Sequence, residues 1–103
     1  NVVVQYDFDT ITHSWTESHV FSPSNNQSKG RFGFSVELAG NYAIIGSPGF
    51  DKKGFVEIHQ FENESWEKVT KISNPEDEVG TYFGADVSMS GDEILIGNYN
   101  GEK

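Results

Sequence analysis

One pattern constrains this chain more than any other: it repeats itself every 51 positions. Laying residue n over n+51 matches Phe32 with Phe83, Gly33 with Gly84, Val36 with Val87, Gly40 with Gly91, Ile45 with Ile96 and Gly46 with Gly97. Leu38 over Met89 and Ile44 over Leu95 exchange one apolar side chain for another, and Ser14-Trp15 falls on Ser65-Trp66. A fixed period of this length marks a fold made of one supersecondary unit stacked on copies of itself. Two periods nearly exhaust the 103 residues, which divide into units of about 1–50 and 51–103 within a single repeat region.

Within each unit the apolar residues follow strand periodicity. Phe32, Phe34, Val36 and Leu38 alternate with Gly33, Ser35 and Glu37, and Phe83, Ala85, Val87 and Met89 alternate with Gly84, Asp86 and Ser88. That spacing predicts one buried and one polar face. The short stretches Ala39-Gly40-Asn41 and Ser90-Gly91-Asp92 suit tight hairpin turns. Tyr42 to Ile45 and Ile94 to Ile96 are apolar without alternation, as in strands covered on both faces. Val2 to Phe8 with Trp15 to Phe21, and Phe55 to Phe61 with Trp66 to Ile72, read as a second hairpin in each unit. The first of these carries one extra residue, since Val4 to Trp15 is eleven steps and Val56 to Trp66 is ten. No helical period is present.

Four meandering strands per 51 residues describe an all-β chain of antiparallel four-stranded blades, the unit of a β-propeller, with about two blades here. A lone blade that is apolar on both faces needs a neighbour on each side, so each copy is expected to bury its Phe and Ile against the next.

The charge balance narrows the partners. Sixteen acidic against seven basic residues give a formal net charge of −9, which repels a nucleic-acid backbone and an anionic membrane surface. Zero cysteines exclude disulfides and thiolate metal sites. No apolar run approaches the roughly 20 residues that cross a bilayer, so no membrane insertion is expected of this segment. The first residue is Asn1 rather than Met, so a processed or partial chain is expected.

Phe32-Gly33-Phe34-Ser35-Val36 followed by Ala43-Ile44-Ile45-Gly46-Ser47-Pro48-Gly49 resembles the FG-GAP repeat of integrin-α-type β-propellers, with Gly46-Ser47-Pro48 in the place of Gly-Ala-Pro. Val56-Glu57-Ile58 with Trp66 is similar to the hairpin that accompanies these repeats in their bacterial and protist branch. The second copy departs, with Gly97-Asn98-Tyr99 where the small-Pro pair stands. The resemblance implies a propeller with extracellular or cell-surface placement and a role in binding or adhesion rather than catalysis.

Many members of that family hold calcium in an Asp-rich loop between the two strands of the Phe-Gly hairpin, and the ion needs six to eight oxygens. Here that connection is only Ala39-Gly40-Asn41 or Ser90-Gly91-Asp92, so neither calcium nor any other cofactor is expected, and Asp51 and Asp92 read as turn residues. His13, His19 and His59 are scattered, Glu76-Asp77-Glu78 reads as a solvated acidic tip, and no nucleophile or phosphate motif is present, so the chain reads as a non-enzyme. Trp15 and Trp66 recur at the period and read as packing residues. The expected repeat core is Phe32, Gly33, Val36, Ile45, Gly46, Phe83, Gly84, Val87, Ile96 and Gly97 with the two tryptophans.

Binding is expected at rim loops, at Ser47, Pro48, Phe50, Asp51, Asn98, Tyr99 and Asn100, with a protein or glycan as ligand. Asn26-Gln27-Ser28 and Asn63-Glu64-Ser65 fit the N-glycosylation signal. The alternative is a structural subunit of an extracellular filament or surface coat, whose partners are further copies or blades of itself, joined through sheet edges.

Overall fold

The computed structural model describes residues 2–23, 31–49, 53–75 and 82–98. These form eight strands and no helix: β1 Val3–Asp9, β2 Ser14–Phe21, β3 Ser35–Ala39, β4 Tyr42–Ser47, β5 Phe55–Glu62, β6 Ser65–Ser73, β7 Asp86–Ser90 and β8 Glu93–Gly97. All pairing is antiparallel between sequence neighbours, and the strands form three sheets: β1–β2, the four-stranded β3–β4–β5–β6, and β7–β8.

Eight strands are two blades' worth, but the blade is out of phase with the sequence unit. Neither copy makes its own sheet as expected. The complete blade takes the Phe-Gly hairpin β3–β4 from the first copy and the Trp hairpin β5–β6 from the second, while β1–β2 and β7–β8 are half-blades on its two faces. The reason is hydrogen bonding: Ser47 at the end of β4 pairs with Phe55 at the start of β5, so strands on either side of the period boundary join directly.

The Phe-Gly element is a turn rather than the start of a strand. Phe34 N–H donates to Arg31 C=O at 3.0 Å and Ala85 N–H to Tyr82 C=O at 3.1 Å, with Gly33 at φ +89° and Gly84 at φ +98° in the third position. A positive φ there is what a type II turn demands of glycine. The turn aims Phe32 and Phe83 into the interior, and both are buried. It also rotates Phe34 away: Phe34, Val36 at 52 % and Leu38 at 63 % are exposed, against the expectation of a buried row. In the second copy the equivalent Val87 is 6 % exposed, because the central sheet lies over it.

Alternation splits the central sheet between two cores. Ala43, Ile45 and Phe55 join Phe21 and Phe32 on the face toward β1–β2, with Val3 and Trp66 at the margin. Ile44, Val56 and Ile58 join Phe83 and Val87 on the face toward β7–β8. β4 is therefore covered on both sides, as read from its unbroken apolar run. β8 is not: Leu95 is 74 % exposed, because among the described residues no sheet lies over that face of β8. Gly46 marks a close approach of two sheets, since a Cβ there would run into Gly84 O and Ser35 Oγ. Those two atoms share a hydrogen bond of 2.8 Å that ties the central sheet to the next.

The register corrects the expected insertion in the first Trp hairpin. Val3 pairs with Phe21 as Val56 pairs with Ile72, and Phe8 with Trp15 as Phe61 with Trp66, so β1 corresponds to β5 shifted by 53 residues and β2 to β6 shifted by 51. The difference is two residues, both in the tip: Thr10 to His13 in one hairpin, Asn63 and Glu64 in the other. Asp9 stabilises the longer tip by accepting from Ile11 N–H at 2.9 Å and Thr12 N–H at 3.3 Å. An odd shift would have turned every β1 side chain over. Val3, not Val4, points to the core. Both hairpins also bulge at the same place, skipping Ser18 and Val69, 51 residues apart.

Candidate binding cleft

The β1–β2 half-blade meets the central sheet along a cleft of about 530 Å³ at the end where the hairpin turns lie. One wall is aromatic. Trp66 leads β6, half-buried, with its ring edge-on to Phe21 at 5.2 Å and tilted against Phe61 at 5.3 Å. Its indole N–H donates to Gln5 Oε1 at 2.9 Å, and Gln5 Nε2 donates to Asp7 Oδ1 at 3.0 Å. This chain of bonds fixes the ring in one orientation across the seam between two sheets. Gln5 occupies the place of Ile58 in the repeat, so a polar side chain lies where the other interface has an apolar one.

Opposite stands the β3–β4 turn. Asn41 Nδ2 donates to Phe61 C=O at 3.3 Å, and Phe61 N–H donates to Asn41 C=O at 2.7 Å, so the turn is lashed to β5 and its position in the cleft is set by backbone. Ser18, Ser65, Asp7 and Glu64 add hydroxyls and carboxylates to the amides around the aromatic wall, with His19 and Leu38 also in the lining. Such a surface offers ring faces for stacking and hydrogen-bonding groups for hydroxyls, and its two carboxylates disfavour anions.

A second polar group lies deeper. Glu57 is buried in β5, with its Oε1 at 2.9 Å from His59 Nε2 and its Oε2 at 4.0 Å from Lys68 Nζ. A buried carboxylate needs such partners, and this one is closed to solvent, its partner His59 lying edge-on to Phe21 at 5.1 Å. No group of three or more His, Asp or Glu converges among the described residues.

The residues singled out in the sequence disperse. Ser47 and Pro48 are fully buried at the end of β4, a correction to their expected place on a binding rim: β5 pairs across Ser47 and closes over both. Asn98 is exposed, while Phe50, Asp51, Tyr99, Asn100 and the sequon residue Asn26 lie outside the described residues. Asn63 is exposed in the β5–β6 turn at φ +54°. Of the repeat core, Phe32, Ile45, Gly46, Phe83, Gly84 and Val87 are buried, Gly33, Ile96 and Gly97 half-buried, and Val36 exposed. Trp66 packs, whereas Trp15 projects into solvent with only Phe8 edge-on at 5.2 Å, because no described sheet covers that side of β1–β2. The cleft itself escaped the sequence reading. Its only signal is Gln5, a polar residue in a row that the second copy fills with Ile58, and the two-residue offset hides that match.

The model of the family described as FG-GAP repeat matches the chain twice, over residues 15–56 and 66–103. No curated protein matches it.

Proposed function

Since the chain belongs to the FG-GAP repeat family, whose repeats are β-propeller blades found in extracellular integrin-like proteins, we propose that it is a non-catalytic binding and adhesion module of the cell surface or extracellular space. FG-GAP repeats serve generally as structural and binding modules, which agrees with the absence of a catalytic motif in the sequence. The ligand is a neutral glycan, or a protein that carries one, and the cleft contributes to its contact together with the rim loops. The observation that carries this reading is the Trp66–Phe61 wall held rigidly beside Gln5, Asn41 and Ser18: aromatic faces with amide and hydroxyl groups suit the faces and hydroxyls of a sugar ring.

The test is a screen of immobilised neutral glycans with the 103-residue chain, followed by calorimetry of any hit with wild type and Phe61→Ala. Phe61 is 43 % exposed, so its truncation leaves the fold in place while removing one stacking face. A loss of affinity of roughly tenfold is expected for one such face. Binding that ignores Phe61→Ala, or no glycan hit at all, refutes the cleft as the contact. The second reading is a self-assembling structural subunit, which the edges of β1 and β8 suit, since neither pairs with a further strand among the described residues.

A further inference from the structure

One motif serves neither the core nor the sheet pairing: Asn63-Glu64-Ser65, the N-glycosylation signal at the tip of the β5–β6 hairpin. Asn63 and Glu64 form a two-residue turn with φ of +54° and +66°, the backbone of a type I′ turn, which asparagine tolerates better than most residues. Asn63, Glu64 and Ser65 are all exposed. Among the described residues the Asn63 carboxamide makes no hydrogen bond, so a group can be joined to its Nδ2 without breaking one. The other described asparagines differ. Asn41 is tied through its carboxamide to Phe61 C=O, Asn74 is buried, and Asn98 opens no sequon.

The tip stands at the mouth of the cleft. Phe61, just before Asn63 in β5, and Glu64 and Ser65, directly after it, all line the space of about 530 Å³ beside Gln5, Asn41 and Trp66. The hairpin belongs to the complete blade, which carries β1–β2 on one face and β7–β8 on the other, so sheets already flank it on both sides. A sugar joined to Asn63 is therefore the nearest sugar that the aromatic wall can meet. Tethering holds it there at an effective concentration on the order of millimolar, so weak contacts suffice. The inner sugars of an N-linked glycan, N-acetylglucosamine and mannose, are neutral and are not repelled by Asp7 and Glu64 in the lining.

We propose that Asn63 is N-glycosylated and that the inner sugars of its glycan fold back into the cleft, which is thereby filled in cis and closed to free glycans until that glycan is removed. In the transfer Asn63 Nδ2 bonds to C1 of the first sugar and the bond from C1 to the pyrophosphate of a lipid-linked oligosaccharide breaks. The lipid pyrophosphate leaves, and one amide proton passes to solvent. Nothing is oxidised or reduced. The modification stands on the exposed tip alone, whereas the filling of the cleft rests on the reading of that cleft as a sugar site.

The 103-residue chain secreted behind a signal peptide from a eukaryotic cell line, wild type and Asn63→Gln, tests both parts. Peptide mass spectrometry after enzymatic release of the glycans, which leaves aspartate at each linked position, should find position 63 occupied in wild type. Ser65→Thr, which keeps the hydroxyl of the signal, should be occupied at least as fully. Proton–nitrogen NMR spectra before and after release should differ at the Trp66 indole N–H and the Asn41 amide, and Phe61→Ala should abolish those differences. Titrated with the free disaccharide of N-acetylglucosamine, the released chain should bind at least roughly tenfold more tightly than the glycosylated one, and Asn63→Gln should bind as the released chain does. Position 63 found unoccupied in both wild type and Ser65→Thr overturns the proposal and leaves the cleft reading standing. Occupancy with unmoved Trp66 and Asn41 signals, or with equal binding before and after release, overturns the filling in cis. The cleft reading itself fails only if the released chain binds neither this disaccharide nor any glycan of the immobilised screen.

Discussion

Ile44 and Leu95 stand at the same point of the repeat, and replacing each by alanine puts the layered arrangement to its sharpest test. Ile44 is 0 % exposed, in the middle strand region of the central sheet, with Ala43 and Ile45 in one core and its own side chain in the other among Val56, Ile58, Phe83 and Val87. Truncation there removes three buried carbons and leaves a cavity bounded by two sheets whose separation is held by the Ser35–Gly84 bond, so the gap cannot close freely. Burial of this completeness places Ile44→Ala at about 3 kcal/mol, within the range of ~2–5 kcal/mol for such changes. Leu95 is 74 % exposed in the single chain, and its truncation should cost under about 0.5 kcal/mol. For a domain of this size 3 kcal/mol corresponds to a fall in Tm of roughly 12–24 °C, against a few degrees at most for Leu95→Ala. Urea and thermal unfolding at low micromolar concentration, followed by circular dichroism, measure both. Effects of equal size in the two variants refute the reasoning, because they would mean that β7–β8 does not cover Ile44 or that β8 is covered within one chain.

Gly46→Ala should destabilise by about 3 kcal/mol, since its Cβ meets Gly84 O and Ser35 Oγ, whereas Ser35→Ala, which only deletes the bond between them, should cost about 1 kcal/mol by urea unfolding. Trp66→Phe removes the donor to Gln5 and should loosen the β1–β2 half-blade by about 1 kcal/mol, seen as faster amide exchange in β1. Adding Gln5→Leu, which restores an apolar residue at the place of Ile58, should recover that loss, and failure to do so would show that the loss comes from the packing of the ring on Phe21 and Phe61 rather than from the bond. Glu64→Gly relieves a non-glycine residue at φ +66° in the tight β5–β6 turn and should raise stability by about 1 kcal/mol in the same unfolding assay.

The strands were legible because their signal is local. Alternation around Val36 and Val87, the unbroken run at Tyr42 to Ile45 and the turn residues between them place each element within about three residues of where it lies, the largest error being at the Phe-Gly turns that precede β3 and β7. Burial was not legible, because it depends on what lies across the face: Val36 and Val87 are the same residue in the same repeat position, and only the second has a sheet over it. The same reason separates Trp15 from Trp66. The phase of the blade escaped too, since a period tells how often a unit recurs but not where one sheet stops, and the pairing of Ser47 with Phe55 crosses the chosen boundary. At the candidate site, Ser47 and Pro48 looked like a loop because small and cyclic residues mark turns; here they end a buried strand. Gln5 was overlooked because the length of the Thr10 to His13 tip, which sets the register of β1, is fixed by Asp9 rather than by any apolar count.

The straddling of the join by the central sheet puts the inherited text and the folded piece out of step, as courses of brickwork overlap the mortar line beneath. Wherever a 51-residue stretch is duplicated or lost, the Trp hairpin downstream of the cut still meets a Phe-Gly hairpin upstream of it, and every internal sheet keeps four strands. Arrays written this way can grow or shrink by one blade per recombination event without passing through a broken intermediate.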